Sequence, residues 1–131
     1  MKTQIKMTLF FFCLFIGMHA PLAFADTVNV IATAYTADCH GCSGITASGI
    51  RANAWGPIPL MAVDPSVFRL GRCYRLTFAD GHHTTYLAAD TGGRVRGRRV
   101  DLLLKSKESA VRFGRQAIEL NGPVACPNTR S

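Results

Sequence analysis

The first 25 residues limit everything that follows. Lys2 and Lys6 precede an apolar run, Met7 to Met18, which is followed by Ala23-Phe24-Ala25 and then Asp26. A basic start, a short apolar stretch and an A-x-A site are the layout of a secretory signal peptide. The apolar run is about a dozen residues against the roughly 20 that a spanning helix requires, so no membrane span is expected after cleavage near Ala25. Cys13 sits inside that run, not at its cleavage end, which argues against lipid attachment. Residues 26–131 are the expected product, secreted or periplasmic, and their 106 positions suit one small domain rather than two.

Export also decides how the cysteines read. Cys39, Cys42, Cys73 and Cys126 remain after cleavage, and an even number in a small exported domain points to two disulfides. Three pairings are open. Cys39 with Cys42 and Cys73 with Cys126 is favoured, because the second bridge closes a long loop and constrains the unfolded chain most. The Cys39-His40-Gly41-Cys42 spacing could also serve thiol redox chemistry or half a zinc site. A redox pair needs a helix N-terminus after it, whereas a Gly- and Ser-rich loop follows here, and no second close pair completes a zinc site. Neither a metal nor a cofactor is expected.

Short strand-like runs dominate the remainder. Thr27 to Tyr35 is rich in Val, Ile and Thr. Residues 36–58 form a long loop of Gly, Ser, Ala and Cys, a length that a compact domain tolerates when the loop is functional or stapled. Leu60 to Val63 is a strand halted by Asp64-Pro65. Cys73 to Phe78 and His83 to Ala89 flank Asp80-Gly81, a strong hairpin signal. Val100 to Leu104 and Ala117 to Leu120 complete six strands. Between the last two, Ser106 can cap a short helix ending at Gly114, with Ala110, Val111 and Phe113 available to the core. Six short strands and one helix suit a closed β-barrel.

Removing Lys2 and Lys6 leaves 13 basic against 8 acidic side chains, a formal charge of +5. Such a balance either solubilises the chain or draws it to polyanions; for an exported protein the anionic cell-wall glycan is the partner to expect, not nucleic acid. Asp64, Asp90 and Asp101 stand at or near strand ends, where a barrel can gather a site. Gly92-Gly93 lets the backbone turn with positive φ and approach a ligand. Taken alone, acidic residues beside glycines are more often turn caps than catalysts.

Several separated motifs change that balance. Thr33-Ala34-Tyr35, then Gly41-Cys42-Ser43-Gly44-Ile45-Thr46-Ala47-Ser48-Gly49, then Ala62-Val63-Asp64-Pro65, then Asp90-Thr91-Gly92-Gly93 with Gly97 and Val100-Asp101, occur in order. Together they resemble the three-aspartate domain of secreted wall-remodelling proteins, which is similar to the catalytic part of membrane-bound lytic transglycosylase A. The resemblance spans most of residues 31–120. It implies a mainly β fold, a small six-stranded double-psi β-barrel, with its three aspartates at Asp64, Asp90 and Asp101 and the catalytic acid at Asp101. Arg69 replaces a common proline, Cys73 and Cys126 are unusual, and Arg94, Arg96, Arg98 and Arg99 make one turn unusually basic.

The implied reaction is lytic cleavage of the MurNAc-GlcNAc bond in peptidoglycan glycan strands. Most glycosidases need two carboxyl groups. Here the substrate's own C6 hydroxyl is the nucleophile, so one aspartate can give and then retake the proton, leaving a 1,6-anhydro product. Asp101 must then be protonated; burial and Asp90 would raise its pKa, while Arg99, on the same strand face, would lower it. Substrate contacts are expected from Thr46, Ser48, Tyr35, Gly92, Gly93 and Arg99, with Trp55 a second aromatic able to stack on sugar. His82 and His83 read as exposed turn residues. The chain is expected to be a monomer, and the alternative to cleavage is a barrel that binds glycan without cutting it, in the manner of expansins.

Overall fold

The computed structural model describes residues 26–38 and 40–128. The signal peptide reading falls outside them. Six strands and one helix follow in chain order: β1 (Asp26–Tyr35), β2 (Leu60–Val63), β3 (Cys73–Thr77), β4 (His83–Asp90), β5 (Arg99–Leu103), α1 (Lys107–Phe113) and β6 (Gln116–Val124). The strands close into a barrel in the order β1-β5-β2-β4-β3-β6. β1 runs parallel to β5 and β2 parallel to β4, and every other neighbouring pair is antiparallel. This is the expected double-psi barrel, and closure leaves no edge strand unpaired.

The barrel fills itself by simple alternation. Val30 and Ala32, Met61 and Val63, Tyr74 and Leu76, Tyr86 and Ala88, Val100 and Leu102, Ile118 and Leu120 form one buried cluster, each pair two residues apart on its strand. The Asp80-Gly81 hairpin forms as read: Gly81 adopts a φ of +86° and Asp80 accepts the His82 amide. His82 and His83 are exposed there, with the His82 ring on Phe78 and against Asp80. Ser106 caps α1 by accepting the Ser109 amide at 3.1 Å. One helix assignment needs correcting. Phe113 packs against the core, but Val111 is 72% exposed, because α1 rests on β1 by its other face.

β6 also continues past Leu120, through Asn121-Gly122-Pro123, to Val124. A register shift against β3 accommodates the proline, since the ladder resumes only at Cys73 opposite Val124. Gly122 is required there, because a Cβ would meet the Tyr74 ring at 2.8 Å. The Cys73–Cys126 bridge then ties the tail to β3. Cys42 is also in a disulfide, and its expected partner Cys39 lies outside the described residues.

The loop of residues 36–58 lies on the outside of the barrel. Ala52 is buried with Leu60, Ala89 and Leu103, and Tyr35, Ala37, Ile50 and Leu87 pack around them. This second cluster anchors the loop: Ala37, Ile50 and Ala52 face the barrel wall, while Ile45 and Trp55 stay exposed.

Candidate functional site

The site lies on that outer wall, not at the end of the barrel. Between the inward residues Ala32, Val100, Met61, Leu102 and Val63, the intervening Thr33, Asp101 and Ala62 face outward. Register brings them side by side, with Asp101 opposite Thr33 on β1 and opposite Ala62 on β2. Asp90 arrives by a different route. Met61 pairs with Ala88, yet Ala62 pairs with Asp90, so β4 carries one extra residue at this point. Regular pairing would set Ala89 against Ala62 and turn Asp90 toward the core; the bulge re-aims it outward, onto the far flank of Ala62 from Asp101.

Each carboxylate has its own holders. Asp90 Oδ2 accepts the Tyr35 hydroxyl at 3.0 Å, and Oδ1 accepts the amides of Ala47 and Thr91, both at 2.9 Å. Asp101 Oδ1 accepts the Thr33 hydroxyl at 2.8 Å. Burial pushes the Asp101 carboxyl above its ordinary value. The Thr33 bond and the Arg99 charge act against this, and the negative charge of Asp90 adds to it. The opposition between burial and Arg99 left open by the sequence thus resolves in favour of burial. Burial, reinforced by Asp90 and Asp101, also raises the Tyr35 hydroxyl, which keeps it a donor.

Asp64 does something else. It is 7% exposed, and its carboxylate accepts the Ser66 amide and hydroxyl at 3.0 and 2.7 Å and the Gly97 amide at 2.8 Å. These donors hold it down to about 2. Its bonds fasten the end of β2 to the turn that leads into β5, so it braces the site and is not bonded into it. That turn carries Arg94, Arg96 and Arg98, all exposed, and half-buried Arg99. The glycine reading needs correction as well: neither Gly92 nor Gly93 has positive φ, and Gly97, at +61°, supplies the left-handed residue. Gly92 is needed for space, since a Cβ would lie 2.9 Å from Val95 Cγ2.

The 36–58 loop walls one side. Thr46 is buried and its hydroxyl accepts the Ile50 amide, so it holds the loop's shape instead of facing a ligand. The Ser48 amide bonds the Ala89 carbonyl at 3.0 Å, stitching the loop to β4 and leaving the Ser48 side chain exposed. Between loop and barrel lies a cleft of about 190 Å³ lined by Tyr35, Thr36, Cys42, Ile45, Asp90 and Thr91, among others. Trp55 is exposed farther along the loop, with the Lys105 ammonium 5.6 Å from its ring centre. Sequence reasoning left out Thr33, Ala47 and Ala62 as site residues. Thr33 was legible only as a polar residue alternating with Tyr35; its bond to Asp101 depends on the pairing of strands 68 residues apart.

Two carboxylates set outward across one alanine, with a third fastening the turn between their strands, make up the candidate site. Residues 60–121 match the family model of the 3D domain. Three Bacillus subtilis proteins are similar to the chain. YabE, whose name links it to cell wall shaping, is 37% identical over 93 residues; the cell wall-binding protein YocH is 38% identical over 93; and the prophage-derived YorM is 34% identical over 97. Each alignment covers 71% of this chain but only 22%, 31% and 40% of the respective relative. Among solved structures, the Clavibacter michiganensis expansin superposes with a TM-score of 0.54 at 18% identity, over 79% of this chain and 52% of the expansin. A variant of that expansin in complex with cellohexaose gives 0.54 at 18%, over 81% and 54%. The Streptomyces papain inhibitor gives 0.52 at 17%, over 76% and 96%. At such identities these likenesses establish the barrel fold and nothing about activity.

Proposed function

We propose that this chain is an exported wall protein that binds the glycan strands of peptidoglycan in the groove of Tyr35, Asp90 and Asp101. The observation that carries this reading is the bulge-aimed Asp90, which lines a loop-walled cleft, with Asp101 on the other flank of Ala62. The 3D-domain match and the similarity to a protein named for cell wall binding support it. An expansin of the same fold holding cellohexaose supports a sugar polymer as ligand. The Cys73–Cys126 bridge agrees with an oxidising, extracytoplasmic setting.

A specific observation favours a second reading, lytic cleavage at the same groove. Burial keeps the Asp101 carboxyl protonated to higher pH than an ordinary aspartate, which is what a general acid requires. Asp101 would give its proton to the glycosidic oxygen between MurNAc and GlcNAc. The muramic C6 hydroxyl would attack the anomeric carbon and return its proton to Asp101, so atoms balance without water. Thr33, donating to Oδ1, would orient the carboxyl, and Tyr35 would hold Asp90 in place.

One experiment tests both. Purified peptidoglycan is incubated with the protein, the pellet assayed for bound chain and the supernatant for anhydro-muropeptides by mass. Binding without release supports the binding reading alone. Release that is lost in a folded Asp101→Asn variant, with binding retained, supports cleavage. If the protein neither binds peptidoglycan nor releases fragments from it, the glycan assignment is overturned.

A further inference from the structure

Beside the carboxylate groove is a second concavity that neither reading uses. It holds about 450 Å³ between the start of the 36–58 loop and α1, and it shares Tyr35 and Thr36 with the cleft that contains Asp90. The two recesses therefore flank the same end of β1. The second one is built from different chemistry. Val111, at 72% exposure, and half-buried Ala110 give it an apolar side that no other element covers among the described residues. Exposed Lys107 and Asp38 place one positive and one negative charge on its rim.

We propose that this recess receives the short peptide that branches from the glycan, so that the protein recognises peptide-bearing strands over bare ones. The inference rests on the glycan-binding reading. Alternate sugars of peptidoglycan carry, through a lactyl ether, a peptide of alanines, an acidic residue and a diamino residue. Methyl groups fit Val111 and Ala110, a carboxylate fits Lys107, and the free ammonium of the diamino residue fits Asp38. A branch leaving a glycan bound over Asp90 would meet this surface without crossing the barrel, because Tyr35 and Thr36 belong to both recesses. A bare polysaccharide has no use for an exposed valine between opposite charges.

The test uses immobilised glycan strands with their peptides and the same strands stripped by an amidase. Exposed charge pairs contribute little individually, so each contact is expected to change affinity by about two- to fivefold. The parent should bind peptide-bearing strands better than stripped ones by a few such factors. A Lys107→Gln, Val111→Asn variant should lose that preference while binding stripped strands as the parent does. Both side chains are exposed, so folding should be untouched, which circular dichroism checks. Equal binding of both strands by the parent, or a preference that survives in the variant, overturns the inference and leaves glycan binding intact. Failure of the parent to bind either strand overturns the glycan reading itself, and this inference with it.

Discussion

Cutting the Cys73–Cys126 bridge tests the view that this barrel depends on a staple at the end of β6. The bridge closes a loop of 53 residues, and loop-closure entropy for that length is about 14 cal/mol/K, or about 4 kcal/mol at 25 °C. The local structure argues against much compensation. Beyond the register shift at Gly122-Pro123 only one ladder pair, Cys73 opposite Val124, holds the strand end, and Cys126 lies past it. Cys126→Ala is the right perturbation, because Cys126 is exposed while Cys73 is fully buried and its truncation would open a cavity. Chain-entropy figures tend to overstate measured effects, so the expected loss is about 2 to 4 kcal/mol. In a domain of this size that lowers the melting temperature by roughly 10 to 20 °C. Urea unfolding followed by far-ultraviolet circular dichroism, with the denaturant slope compared between parent and variant, measures it. An unchanged midpoint at unchanged slope would refute the reasoning and mean that the β3–β6 ladder holds the tail unaided.

Three further outcomes follow from the charges. Because the folded state raises the Asp101 pKa, stability from its protonated form is present below the unfolded value and is lost as pH rises through the folded one. Asp101→Asn should therefore be more stable than the parent at pH 7 and not at pH 3; urea midpoints at the two pH values decide, and a loss at pH 7 contradicts the burial argument. Asp64 has the opposite sign. Held down to about 2 against an ordinary 3.8, it stabilises the fold above that ordinary value and stops doing so as pH falls toward 2. Asp64→Asn should be less stable than the parent at neutral pH and should flatten the parent's acid-induced loss over that window, as acid titration of the two proteins would show. Finally, Arg94, Arg96 and Arg98 are exposed, and attraction between exposed charges is screened beyond about 10 Å at 0.1 M salt. Pull-down on peptidoglycan should weaken between low and moderate salt, and salt-insensitive binding would assign these arginines to solvated surface alone.

Local chemistry carried most of the element pattern. Alternating Val, Ile and Thr before Tyr35, the Asp80-Gly81 turn, the Asp64-Pro65 stop and the Ser106 cap are signals within a few residues of chain, and each formed where it was read. The order of the motifs was enough to anticipate the barrel. Where local signals misled, a distant partner overruled them. Leu120 reads as the end of the last strand, yet β6 runs on through Gly122-Pro123 to Val124 by a shifted register against β3. Val111 looks available to the core, but α1 lies on β1 by another face.

The site divides along the same line. Sequence by itself determined which acidic residues were present and that Arg99 shares a strand face with Asp101, since alternation is a property of one strand. Only the tertiary structure decided where their carboxylates point and what holds them. One extra residue in β4 turns Asp90 outward to flank Ala62 opposite Asp101, and a one-residue change of register moves a side chain to the other face. The Gly97 amide draws Asp64 into bracing the turn, and the burial that outweighs Arg99 at Asp101 is a sum over neighbours from several strands and a folded-back loop. Pairing, register and desolvation are relations between segments far apart in the chain, and no stretch of sequence encodes them alone.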